Sequence, residues 1–172
     1  MKNFILSIAL FALPFIAFSQ MEKGSMMAGA NYYFGLDPEY QNIEFEEMLT
    51  FYRLNYAYSL SDKTSLGAAF LFSNRNFTDE YMIGFSPIAR FYFFDKWIRP
   101  FIEPRLGIFM SGSEGFGGGP EVYANIGATL GVSFFVSKII ALEVGVNDDL
   151  FGPIGFNNVV GICVGLQVHF RK

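Results

Sequence analysis

The sequence predicts an all-β chain, folded as an eight-stranded antiparallel up-and-down transmembrane β-barrel. Three observations predict it. The first is alternation along Glu121–Val136, where Val122, Ala124, Ile126, Ala128, Leu130, Val132, Phe134 and Val136 are apolar and the odd positions are mostly small or polar. A period of two gives one long strand with a greasy face and a polar face. The second is composition: hydrophobic residues make up 52% and aromatic residues 19%, and mean hydropathy is +0.32. Beyond the first twenty residues no apolar run is long enough for a membrane helix, so the apolar residues must be spread over alternate positions. The third is punctuation, because the predicted strands are joined by turns that alternate long and short.

Residues 1–19 form a segment apart. Lys2, the apolar run Phe4–Phe18 and the small-x-small site Ala17-Phe18-Ser19 before Gln20 predict a cleaved secretory signal peptide. Residues 20–172 are then the barrel domain. Met26–Phe34 is the first strand, with Met26, Ala28, Ala30, Tyr32 and Phe34 on one face, and Gly35–Glu46 is a loop carrying Pro38. Met48–Leu60 and Thr64–Phe72 follow, joined by the tight turn Ser61-Asp62-Lys63. After the polar loop Ser73–Glu80 come Tyr81–Phe94 and Arg99–Ser111, joined through Asp95-Lys96-Trp97. Gly112–Pro120 is a glycine-rich loop, Glu121–Val136 the sixth strand, and Ser137-Lys138 a tight turn. Ile140–Asn147, a loop over Asp148–Asn157, and Val159–Phe170 complete the set. With an even number of strands both termini lie on the short-turn side, which for an exported chain is the periplasm. Pro87 and Pro104 fall nearly opposite each other, and one local irregularity shared by two strands is expected there, because proline removes a ladder donor.

The charges orient the wall. Arg53, Arg90, Glu103, Arg105 and Glu143 all sit on the small-residue parity. A soluble ligand-binding barrel would carry charges outside and apolar side chains within, and an Arg facing mid-bilayer lipid costs about 2–4 kcal/mol. The apolar face therefore meets lipid, and the five charges form a belt in the lumen that pairs and plugs it, since unpaired buried charge is costly. Tyr56, Tyr58, Phe91, Phe93, Phe134 and Phe170 face outward near the short-turn ends, where an aromatic girdle is expected. Polar substitution at Ile126 or Leu130 should then harm assembly more than at Gly127 or Thr129.

Other chemistry has little support. The net charge of −4 comes with no basic cluster for nucleic acid. The single cysteine, Cys163, excludes an internal disulfide framework and any multi-cysteine metal site. No catalytic, metal or cofactor site is expected. His169, the one histidine, lies at the opposite end of the last strand from Asp148 and Asp149, about 30 Å away at strand rise and too far for a triad. The stretch Ser113–Gly119 lacks the Gly-Lys-Ser/Thr ending of a phosphate loop and reads as a surface loop. Glu44, Glu46, Glu47, Asp79, Glu80, Asp148 and Asp149 read as a solvated acidic rim, with cation binding the sharper alternative.

Ser86-Pro87-Ile88-Ala89-Arg90-Phe91-Tyr92-Phe93, then Pro100-Phe101-Ile102-Glu103 and Leu106-Gly107, resemble the small outer-membrane β-barrel domain family. That family is OmpA/OmpX-like in architecture and widespread in Gram-negative bacteria. The resemblance covers nearly the whole mature chain and implies an outer-membrane location among lipids and lipopolysaccharide. It also implies recognition by the barrel-assembly machinery, which reads a terminal aromatic; here Phe170 is followed by Arg171 and Lys172. The function expected is a structural or surface-interaction role, with an extracellular or envelope partner that the loops do not name. A narrow porin-like channel for small solutes or ions is the alternative, and a lipid A-modifying enzyme the third reading.

Overall fold

The computed structural model describes residues 22–36, 49–75, 80–94, 96–113, 120–152 and 157–170. The segment predicted as a signal peptide, most of the long loops and Arg171-Lys172 lie outside them. Eight strands follow the sequence alternation: β1 Met26–Leu36, β2 Leu49–Ser61, β3 Thr64–Arg75, β4 Glu80–Tyr92, β5 Ile98–Ser113, β6 Glu121–Phe135, β7 Ile140–Gly152 and β8 Asn157–Phe170. They pair antiparallel in chain order, and β1 pairs with β8, so the sheet closes into a barrel with no free edge. Met26 pairs with Phe170, which puts both ends of the wall beside the short turns.

Pairing around the wall runs from Met26 through Tyr58 and Leu66 to Ala89, which the β4–β5 register sets level with Pro104, and then through Ala128, Asp148 and Val160. It returns to β1 at Leu36, ten residues further along. Such a stagger tilts the strands of an eight-stranded barrel by roughly 40° and leaves an interior that side chains fill.

The alternation sorts side chains as the pleat requires. Ile126 is 53% and Leu130 60% exposed on the outside, while Arg90, Glu103 and Ser133 are fully buried within. Two corrections concern β7 and β8. The predicted loop Asp148–Asn157 is strand over most of its length, since β7 runs to Gly152 and β8 starts at Asn157. Asp149 there looks like loop only if every strand position must be apolar; it falls on the inward parity, where this wall carries polar side chains. Asp149 is accordingly buried inside, not part of an acidic rim, and Asp148 faces outward between Ala128 and Val160. Among the described strand residues Asp148 is the one charge on the outward parity, an exception to the charge-free outer face. β1, β3 and β5 likewise extend two or three residues past their predicted ends.

The irregularity expected at the prolines is present and is shared by β4 and β5, neither of which is broken. β4 and β5 keep one register through Phe85↔Ile108, Ile88↔Arg105 and Phe91↔Ile102, but no pair forms between Pro87 and Leu106 or between Ala89 and Pro104. Phe93 N donates to the Pro100 carbonyl at 3.0 Å, so odd positions of β4 point their N–H at β5. Both prolines thus stand where the missing N–H belongs to this seam. The result is two interruptions around Ile88↔Arg105, with no slip.

Candidate functional site

The lumen holds the polar chemistry. Arg53 on β2, Arg90 on β4, Glu103 on β5 and Glu143 on β7 form one ionic chain across the barrel. Arg53 Nη2 lies 2.6 Å from Glu103 Oε1, Arg90 Nη2 2.6 Å from Glu103 Oε2, and Arg90 Nη1 2.5 Å from Glu143 Oε1. The Arg53 contact is a close ion pair without hydrogen-bond angles, whereas Arg90 Nε donates a 2.7 Å hydrogen bond to Glu103. Glu143 also accepts from Ser133 Oγ at 2.6 Å and from Gln167 Nε2 at 2.8 Å. Glu103 is met by two guanidiniums and Glu143 by a guanidinium and the neutral donors Ser133 and Gln167, the kind of compensation that makes buried charge tolerable.

Arg105, the fifth belt residue, leaves this chain. Its Nε donates to Asp149 Oδ1 at 2.8 Å, its Nη2 makes a second contact to the same carboxylate, and its Nη1 donates to Thr129 Oγ1 at 2.7 Å. Asn125 and Asn147 complete the shell around Asp149, each donating at 3.1 Å. The belt is therefore two groups, and Asp149 was missed because the segment carrying it read as loop.

Arg99 was missed as well. It is the second residue of β5, on the same parity as Glu103, and is fully buried, with Nε donating to the Lys96 carbonyl at 3.0 Å and its guanidinium 4.9 Å from the Phe135 ring centroid. A parity count that included the first residue of the predicted strand Arg99–Ser111 would have found it.

Nor is the lumen uniformly polar. Tyr33, Phe51, Val159 and Cys163 form one buried cluster, Ala69, Leu71, Ile88 and Phe109 a second, and Tyr92 with Phe101 a third. Guanidiniums rest on these rings: Arg53 over Tyr33 at 4.9 Å and Arg90 over Phe101 at 4.2 Å. A stacked guanidinium keeps part of its charge compensated where no further carboxylate is in reach. Inward glycines make the room, since a Cβ at Gly84 would enter the Phe109 ring and one at Gly131 the Phe101 ring.

On the outer wall Tyr56, Tyr58, Phe91, Phe93 and Phe170 are exposed and Phe134 is half-buried, all toward the short-turn end and joined there by exposed Phe94 and Trp97. His169 is buried beside Phe135, with ring centroids 5.1 Å apart. Among the described residues no group of three or more metal-ligating side chains comes together.

A closed eight-stranded antiparallel barrel with apolar side chains outside and ion pairs within has the fold of small outer-membrane barrels. The N-terminal β-barrel domain of Pseudomonas aeruginosa OprF matches with a TM-score of 0.69 at 12% identity, over 86% of this chain and 98% of that one. Neisserial surface protein A matches with a TM-score of 0.64 at 15% identity, over 86% and 97% of the two chains. Ail of Yersinia pestis, in complex with the heparin analogue sucrose octasulfate, matches with a TM-score of 0.56 at 12% identity, over 87% and 100%. No protein-family model matches the sequence, and no curated protein is a significant sequence relative.

Proposed function

We propose that this chain is an integral outer-membrane barrel of a Gram-negative envelope, with a lumen shut by its own side chains and a structural or surface-interaction role. It is not an enzyme in this reading. The observation that carries it is the ionic chain Arg53–Glu103–Arg90–Glu143, which spans the lumen from β2 to β7 with fully buried groups at its centre. A pore for solutes needs a continuous wet path, and a conducting barrel would hold these charges along its wall instead of across its axis. The fold's known members support the location, and the outward parity of the apolar residues supports contact with lipid. Lipids including lipopolysaccharide are then its surroundings, and the barrel-assembly machinery inserts it. Whatever it meets outside the cell it meets through the long loops, as is usual where a rigid scaffold presents variable connections.

Two measurements test this reading together. Fractionation of cells expressing the full chain should place it in the outer membrane, with heat-modifiable migration on a gel. Liposomes carrying the refolded protein should swell in small sugars no faster than empty ones. Location in the cytoplasmic membrane, or swelling that scales with protein content, would overturn it.

A further inference from the structure

Beyond the ionic chain, on the side of the long loops, a cavity of about 10 Å³ gives the centre of one water-sized sphere room to move. Tyr33, Arg53, Arg105, Asn147 and Asp149 line it together with apolar side chains, so it is built from strands on opposite sides of the lumen. The polar atoms around it divide unevenly. Asp149 is saturated by Arg105, Asn125 and Asn147, and all three Arg105 nitrogens are engaged. Arg53 Nε and Nη1, Tyr33 Oη and Asn147 Oδ1 have no hydrogen-bond partner, although Arg53 is 1%, Tyr33 2% and Asn147 3% exposed. Buried polar groups left in this state are costly. Three of these four atoms carry hydrogens to donate, and one only accepts.

We propose that the cavity is a binding site for one small anion of halide size, held by Arg53 and the Tyr33 hydroxyl. The Tyr33 ring packs against the Arg53 guanidinium, 4.9 Å from centroid to Cζ, which fixes the two donors beside each other. A water molecule must place two hydrogens of its own, yet donors outnumber acceptors among the unpartnered atoms: Asn147 Oδ1 only accepts, and the Tyr33 oxygen donates as well as accepts. An anion has no such need. Asp149 does not repel it strongly, because the Arg105 fork already neutralises that carboxylate. The assignment needs the lumen geometry alone and stands or falls apart from whether the barrel conducts.

The test uses the full refolded chain. Crystals grown in sodium bromide should show a bromide anomalous peak in the cavity, in contact with Arg53 and Tyr33. The melting temperature in detergent should be higher in sodium chloride than in sodium gluconate at equal ionic strength, and should rise with chloride by mass action. Tyr33→Phe keeps the ring and loses one donor, so half of the effect should need about threefold to tenfold more chloride. A cavity that is dry or holds water in bromide overturns the proposal. A peak confined to molar bromide, with equal melting in the two salts, is an adventitious ion only and overturns it as well.

Discussion

Arg105 on β5 reaches Asp149 on β7 across Gly127 on β6, the residue paired with both. A Cβ at Gly127 would meet Asp149 Oδ1 and the Asp148 carbonyl. The absence of a side chain is thus what allows an ion pair to span three strands.

Gly127→Ala should therefore destabilise the barrel by about 1–3 kcal/mol, the usual range for inserting a methyl into filled space. Urea titration of the refolded protein measures it. In an Asp149→Ala background the penalty should shrink, because the two substitutions act on one contact. Equal penalties in both backgrounds would mean that the backbone of β7, not the carboxylate, resists the methyl. Thr129, next on the same face, accepts an Arg105 hydrogen bond, so substitutions at either inward position carry a packing cost of their own.

Arg90 is the centre of the other group, bridging Glu103 and Glu143. Arg90→Met takes the Arg90 ion pair from Glu143 in the barrel interior and should cost about 3–5 kcal/mol. Arg90→Lys should recover little of this, as a point charge on a flexible stem cannot bridge two carboxylates and stack on Phe101 at once. Unfolding midpoints of the two variants compare these outcomes directly.

Leu130 tests the outer face. It is 60% exposed on β6, with Ile102 and Val146 as its outward partners. Leu130→Arg should lose about 2–4 kcal/mol when the host is a lipid bilayer, and much less in a short-chain detergent that lets the side chain reach water. The pair of folding equilibria separates a lipid face from a merely apolar one.

Trp97 is the one tryptophan, so its fluorescence reports a single site. It is exposed at the turn before β5, near Phe93 and Phe94. An interfacial tryptophan should be quenched more by lipids brominated near the headgroup than by lipids brominated near the chain end. The reverse order would place the aromatic band at the wrong depth.

Much of the wall was legible because the lumen and the outside impose opposite demands on successive residues. Alternation along β6 or β8 therefore marks both strand and face. Legibility failed where a strand carried polar residues on its inward positions. Asp149 lies on the stretch that extends β7 past Asn147 but reads as loop, and the partner of Arg105 went with it. The interior was only partly visible for a different reason. Parity shows that Arg53, Arg90, Glu103, Arg105 and Glu143 share the lumen, yet which of them touch depends on the ten-residue stagger around the barrel. That stagger is a property of all eight pairings and of no single segment. The inward aromatics Tyr33, Phe51, Phe101, Phe109 and Phe135 were present on the same parity, and filling an eight-stranded interior requires such volume.

The central claim is that side chains shut the lumen, and single-channel recording in a planar bilayer tests it most directly. Refolded full-length protein should give no steady conductance, and Glu103→Ala with Glu143→Ala, which removes both acids of the chain, should produce discrete openings where the parent has none. Steady channels from the unaltered protein, at the same unit conductance as the double variant, would contradict the account.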